Sequence, residues 1–251
     1  MLKILFSVCL AGALAGAARS QSVDEVIANN VKARGGMEKI HALRTSRAAG
    51  RLTIGPFRVE FLQENKRPGK VREEVVIQGL AQVQAYDGSI PWQISPFGGR
   101  KDPERMSQDD AKSLVLDADI EGPLVNYKEK GHQAELVGHD SVEGTDCLKI
   151  KLILKNGDVR YSFLDADSYL ELKTETQSMI RGAIQYTETY YGDYEQVDGI
   201  YYPFAIDSGE KGSQQRQKYE VEKIEVNIPL EDSRFSMPTG KPDVKAAPAV
   251  K

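Results

Sequence analysis

The sequence predicts a mainly β protein: a curled antiparallel sheet of roughly ten strands that carries two helices. Three observations lead there. Beyond Thr45, apolar residues recur at a period of two through most of the chain, the spacing of half-buried strands. Glycine-containing turn pairs, Asp87-Gly88, Asn156-Gly157 and Asp198-Gly199, separate those runs. Helix signals are confined to the segment after Ser22 and to one insertion near residues 107–118.

The first twenty residues stand apart. Lys3 is followed by an apolar, small-residue run from Ile4 to Ala17, and Ala18-Arg19-Ser20 leaves small residues at the −3 and −1 positions of a cut. This is the pattern of a secretory leader. About fourteen apolar residues are too few to span a bilayer. Cys9 lies early in the run, where a lipid-attachment cysteine does not belong. Residues 1–20 are therefore expected to be cleaved and the chain exported. Loss of Lys3 and Arg19 takes the net charge from −4 to −6, which is poorly suited to a phosphate backbone and excludes nucleic acid as a natural partner. Cys147 is then the one cysteine left. No internal disulfide can form, and an oxidising compartment without a disulfide suggests a bacterial periplasm.

Ser22-Val23-Asp24-Glu25 is a capping box. Val23, Val26, Ile27 and Val31 follow near helical spacing, so a helix is expected over 23–34, ended by Gly35-Gly36. Met37–Leu43 allows one or two further helical turns. Then the period changes. Phe57, Val59 and Phe61 alternate with Arg58 and Glu60, and Val71, Val75 and Ile77 share a face with Glu73. Leu148, Ile150, Leu152 and Leu154 alternate with Lys149 and Lys151, while Tyr161 and Phe163 alternate with Arg160 and Ser162. Near the end, Tyr219 and Val221 share one parity and Ile224, Val226 and Ile228 the other. A bulge at Glu222-Lys223 would restore one apolar face. Ser107 to Asp110 can cap a second helix running to about Ala118, stopped by Gly122-Pro123. A sheet this long must stack or curl. Curled under two helices, it encloses an apolar volume that holds either side chains or a ligand. One domain is expected over 21–238, with residues 239–251 a loose tail.

Catalytic signatures are missing from the sequence. His41, His132 and His139 are not paired at helical spacing and none neighbours a cysteine, so no zinc site is expected. There is no nucleophile elbow, Walker loop or dinucleotide fingerprint. Asp117-Ala118-Asp119 and Asp165-Ala166-Asp167 read as turns, and the tyrosines at 186, 190, 191, 194, 201 and 202 as packing between strands. The expectation is a protein that is not an enzyme and uses no cofactor.

Several short motifs, weak singly, occur in a specific order. They are Lys66-Arg67-Pro68 at the entry to a strand, Asp87-Gly88, then Trp92, then Pro96-Phe97 after Ser95. Gly122-Pro123-Leu124 follows, then the segment DYEQVDGIYYPF (193–204), and finally Phe235 and Pro238. In this order the chain resembles, from about Val23 to Pro238, the LolA-like family of periplasmic carriers and the broader branch of outer-membrane lipoprotein-sorting proteins. Ser95 replaces that family's Asn, and the chain is longer than the compact carriers. The resemblance implies an incomplete antiparallel β-barrel with a helical lid over an apolar cavity. It implies that Phe57, Val59, Phe61, Val75, Ile77, Trp92, Ile150, Leu152 and Phe163 face that cavity. It makes Arg67 a latch whose guanidinium reaches carbonyls of the lid segment around residues 98–124. The expected partners are acylated lipoprotein or lipid cargo and, transiently, inner- and outer-membrane components, with the protein a monomer in the periplasm. Two other readings stay open: a lipid- or lipoprotein-binding sensor or lipid-transport module, and a wall-filled structural barrel.

Overall fold

The computed structural model describes residues 21–98 and 100–239. The expected leader (1–20) and, apart from Thr239, the expected tail (239–251) lie outside the described residues. Helix α1 (Val23–Ala33) begins at the predicted capping box: Ser22 Oγ accepts from Glu25 N, and the Glu25 carboxylate accepts from Ser22 N. Its apolar stripe buries Val26, Ile27 and Val31. A short helix α2 (Met37–Ala42) follows, then β1 (Thr45–Ile54), β2 (Phe57–Lys66), β3 (Lys70–Ile77), β4 (Leu80–Tyr86), β5 (Pro91–Ser95) and β6 (Arg100–Arg105). Helix α3 (Lys112–Asp117) interrupts the strands. The chain then forms β7 (Gln133–Val142), β8 (Thr145–Ile153), β9 (Val159–Asp165), β10 (Glu171–Ile180), β11 (Ala183–Val197), β12 (Ile200–Glu210) and β13 (Arg216–Val226).

All thirteen strands lie in one antiparallel sheet, with more strands than the ten or so expected. The extra ones include β6, whose sequence Arg-Lys-Asp-Pro-Glu-Arg has no apolar residue to alternate. The order is β6-β5-β4-β3-β2-β1-β13-β12-β11-β10-β9-β8-β7. Two meanders, one from each half of the chain, are therefore joined where β1 pairs with β13, and the sheet does not close.

The β1–β13 seam carries the predicted bulge. Ala49 pairs with Lys223 and Gly50 with Val221, so Glu222 is the extra residue. Tyr219, Val221 and Ile224 thereby share one face with Leu52, Gly50 and Ala48. The bulge also explains the glycine: a Cβ on Gly50 would stand 2.1 Å from the Glu220 carbonyl oxygen. At the β11–β12 turn, Asp198 and Gly199 both have positive φ, 51° and 77°, the conformation of a two-residue hairpin with the sheet's own twist.

Because β6 and β7 are opposite edges, residues 106–132 must run from one edge to the other, and they cross over one face. Leu114 and Ala118 of the α3 region pack on Val71 of β3. Leu124, Val125 and Tyr127 pack together with α1 over Leu148, Ile150 and Leu152 of β8. We call the face beneath α1, α3 and this crossing segment the inner face. Helix α3 is shorter than the sequence suggests. Ser107 does cap Asp110, but Asp109 and Asp110 are held in turns that bind Arg181 of the β10–β11 hairpin.

The outer face of β1–β5 is covered by the C-terminal segment. Trp92 is fully buried there, and its indole N–H donates to the Phe235 carbonyl at 2.7 Å. Arg234 bridges Glu64 and Glu74, Arg47 also pairs with Glu64, and Arg72 donates to the Arg234 carbonyl while lying over the Trp92 ring. Phe235 is itself fully buried. Phe235→Ala is therefore expected to cost about 3–5 kcal/mol. Denaturant unfolding should show the loss, and Trp92 emission should move to the red in the folded variant as the strap loosens.

Candidate functional site

The candidate site is the hollow between the inner face and the crossing segment. Register fixes which side chains can reach it. Phe57, Val59 and Phe61 of β2 lie opposite Ile54, Leu52 and Gly50, and Phe61 pairs with Val75 of β3, so Val75 and Ile77 share that inner face. Phe61 meets the Tyr219 ring edge-on at 5.2 Å. Val59, Val75 and Ile77 are only half-buried, and Phe57, at the mouth, is 55% exposed. Ile150 and Leu152 are also on the inner face, but both are fully buried beneath α1 and form its floor.

Trp92 and Phe163 are on the other face, contrary to the expectation. Trp92 pairs with Ala85, in register with Arg72, and so belongs to the outer core under the C-terminal strap. Phe163 pairs with Lys149 and Lys173, and both ammonium groups lie over its ring, at 4.8 and 5.5 Å. The alternation in β9 is the one expected and only its face differs, because the outer face is itself covered by apolar packing around both Trp92 and Phe163.

The residues that replace Phe163 inside are polar. Ser162 and Arg160 of β9 continue the row of Ile150 and Leu152 and meet Thr174 and Thr176 of β10. Arg160 pairs with Glu171 at 3.2 Å, and Thr174 Oγ1 lies 3.3 Å from the Tyr191 hydroxyl. Across the hollow stand Glu73 of β3 and Asp117 at the end of α3. Asp117 is enclosed by protein and yet exposed, and Glu73 and Tyr191 likewise keep open surface inside the fold. Enclosed side chains with open surface define a hollow instead of a packed core. Burial pushes the Glu73 carboxyl up to about 8, helped by the Asp117 charge. Burial pushes Asp117 up to about 6, against the pull of Arg160. The Tyr219 hydroxyl is raised as well, by burial first and then by these two acids. Asp117 is thus not the simple turn residue of the sequence reading. Glu73 was legible as a charge on an apolar strand face, but its facing Asp117 and Arg160 was not.

Arg67 ends up at the crossing segment, with a different set of acceptors. Its guanidinium donates to the carbonyls of Leu43 (2.5 Å) and Ile40 (2.9 Å) at the end of α2, and to the Glu121 carboxylate at 2.6 Å. Only Glu121 belongs to the lid segment, and it contributes a side chain where a carbonyl was expected. Lys130 lies 3.4 Å from the same buried carboxylate, and Arg34 donates to the Glu121 carbonyl at 2.8 Å. Burial works to raise the Glu121 carboxyl, but Arg67 and Lys130 outweigh it and hold it below the usual range. The histidines have local partners: His41 at Asn126, His132 accepting from Lys155 N, His139 beside Asp146.

An open antiparallel barrel whose mouth is crossed by its own mid-chain segment is the LolA-like fold, and solved structures bear this out. A DUF1329 family protein from Desulfovibrio piger superposes with a TM-score of 0.60 at 13% identity, covering 86% of this chain and 98% of that one. A LolA superfamily protein from Nitrosomonas europaea gives 0.56 at 14% identity over 86% and 98%. A putative outer membrane lipoprotein-sorting protein domain from Vibrio parahaemolyticus gives 0.55 at 15% over 83% and 94%. In sequence, a family whose description reads "-like: Uncharacterized protein" matches residues 101–239. That is more than half of the chain, and the chain belongs to this family. No curated protein matches it in sequence.

The raised acids set a pH dependence. A carboxyl whose pKa is higher folded than unfolded binds more protons in the folded state between the two values, so stability falls as pH rises through that window. For Glu73 the window runs from about 4.5 to about 8. Thermal unfolding should weaken from about pH 5 to about pH 8.5 by roughly 1–2 kcal/mol, or about 4 °C. Glu73→Gln should flatten most of that slope.

Proposed function

We propose that this protein is an exported carrier that holds acyl chains, of a lipoprotein or a free lipid, in the hollow and moves them through the periplasm toward the outer membrane. The observation that carries the reading is the inner apolar face left partly open: Val59, Val75 and Ile77 half-buried inside, with Phe57 exposed at the mouth. A wall-filled barrel would have packed these side chains. Phe57, Val59, Phe61, Val75 and Ile77 take the chains, with Ile150 and Leu152 as the floor beneath α1. The likeness of fold to a lipoprotein-sorting domain agrees with this reading. The protein works as a monomer, by partition and not by catalysis, and meets membrane components at both ends of its route only transiently. Residues 1–20 serve as its export leader.

Release is the physical difficulty. Three chains of about sixteen carbons would gain nearly 40 kcal/mol on leaving water, well past the non-covalent ceiling of about 20. Part of the gain must be offset. The tie of Arg67 to Glu121 and α2 does this if cargo must part it to enter, because its re-forming then helps to expel cargo.

Two measurements follow. Protein purified from its native host should begin near Gln21, and organic-solvent extraction followed by mass spectrometry should release bound acyl lipid. A clean extract counts against the carrier. Arg67→Leu removes charge-assisted hydrogen bonds worth about 1.5–3 kcal/mol each. Losing about 2 kcal/mol of closed-state stability shifts the lid roughly thirtyfold toward open. The variant should stay folded by circular dichroism, retain cargo more strongly and deliver it to acceptor vesicles more slowly. Arg67→Lys should be intermediate, because an ammonium lacks the planar fork. Unchanged transfer by folded Arg67→Leu would reduce Arg67 to a structural turn residue.

A further inference from the structure

The inner face changes character along the sheet. On β8 it shows Leu148, Ile150 and Leu152; one strand further, on β9, the same row becomes Leu164, Ser162 and Arg160. Thr174 and Thr176 extend the polar patch onto β10, and Glu171 joins it through Arg160. Three of the five buried side-chain polar atoms without a partner in the described residues lie together here: Arg160 Nε, Ser162 Oγ and Glu171 Oε1. Ser162 is fully buried. Such atoms are costly to leave unpaired, and a cluster of them calls for a reason. Other atoms of Arg160 and Glu171 keep 13% and 20% of their side-chain surfaces open, so a molecule in the hollow meets the pair through these, and the buried atoms become available to it only as the side chains turn.

Resting on the carrier reading, we propose that this polar half of the hollow is a head-group site for an uncharged hydrogen-bonding group, a hydroxyl or an amide, at the end of an acyl chain, and that it rejects carboxylate and phosphate heads. The unspent atoms include donors, Arg160 Nε and the Ser162 hydroxyl, and an acceptor, Glu171 Oε1. A hydroxyl or amide both donates and accepts, so it matches this mixed set. A carboxylate or phosphate head offers mainly acceptors and brings negative charge. Arg160 already faces Glu171 and feels Asp117, and Glu73 stands beyond. An anionic head would therefore meet one cation that is already paired, beside acids that its charge would make harder to ionise. The apolar row of Val59, Val75 and Ile77 takes the chain, and the polar row sets which end accompanies it.

The test compares dodecanoyl glycerol, dodecanoate and dodecyl phosphate, which share one chain length and differ in the head. Each is titrated, below its aggregation concentration and at about pH 8, against the full exported chain loaded with an uncharged fluorescent alkyl probe. The glycerol ester should displace the probe at least about tenfold more tightly than either anion. Ser162→Ala should weaken the ester severalfold and leave the anions unchanged. Glu171→Gln frees the Arg160 charge and should narrow or reverse the preference. Equal or tighter binding of the anions by the wild type overturns the head-group site while leaving the carrier reading standing. Binding of none of the three overturns both. The wild-type comparison decides even if a variant fails to fold.

Discussion

In the middle of the sheet β1 zips to β13, and that pairing leaves β6 and β7 as free edges on opposite sides. The residues between those edges then have to cross a face of the sheet, and everything of functional interest hangs on that crossing. It carries α3 and Asp117 over the β3 side, and Leu124, Val125 and Tyr127 over the β8 side. Glu121 lies on it where it passes the end of α2. One buried carboxylate with Arg67 and Lys130 around it thus fixes the crossing to the N-terminal helices and to the β2–β3 turn at once. Lys130 shares the crossing with Glu121, while Arg67 comes from the β2–β3 turn, so the crossing cannot leave that turn without stripping a buried carboxylate of its guanidinium partner, which is costlier than losing a surface pair.

The two faces of the sheet treat charge in opposite ways. Outside, Glu64 is fully buried but meets both Arg47 and Arg234, and Glu74 meets Arg72 and Arg234. That network is complete, and it cements the C-terminal strap. Inside, Glu73 and Asp117 face each other's charge, with Arg160 already engaged by Glu171. A finished network serves stability; an unfinished one in an accessible hollow is available for something that arrives later.

Much of this was legible in the sequence because it depends on local rules. The capping box, the Asp198-Gly199 turn and the parity break that demands a bulge at Glu222 are each set by residues a few positions apart. The faces were harder. Tyr161 and Phe163 look like inward residues, since aromatic side chains alternating with Arg160 and Ser162 ordinarily point to a core. Here both faces are covered, the outer one by cation–π contacts and the C-terminal strap, so hydrophobicity no longer tells inside from outside. Trp92 misleads for the same reason. The motif marked Arg67 as a guanidinium that reaches the crossing segment, but its partner Glu121 was not legible, because nothing local marks a carboxylate that will be buried 54 residues away.

The seam between β1 and β13 also imposes an order of assembly. Apart from that seam, each strand pairs only with its neighbours in sequence, so each meander can form from nearby contacts alone. The seam joins strands separated by most of the chain, and closing so long a loop comes late. Until it forms, β1 is a naked edge, the kind of surface that recruits strands from other molecules. Arg47 and Arg51 stand on its outer side, paired in the finished sheet with Glu225 and Glu222 of β13. Two like charges on an open edge repel a second copy of β1 and welcome the acidic strand that belongs there. Before the seam closes, the two arginines thus act as a guard against pairing with the wrong partner; afterwards Arg51 is left in an exposed ion pair, while Arg47 also holds the buried Glu64.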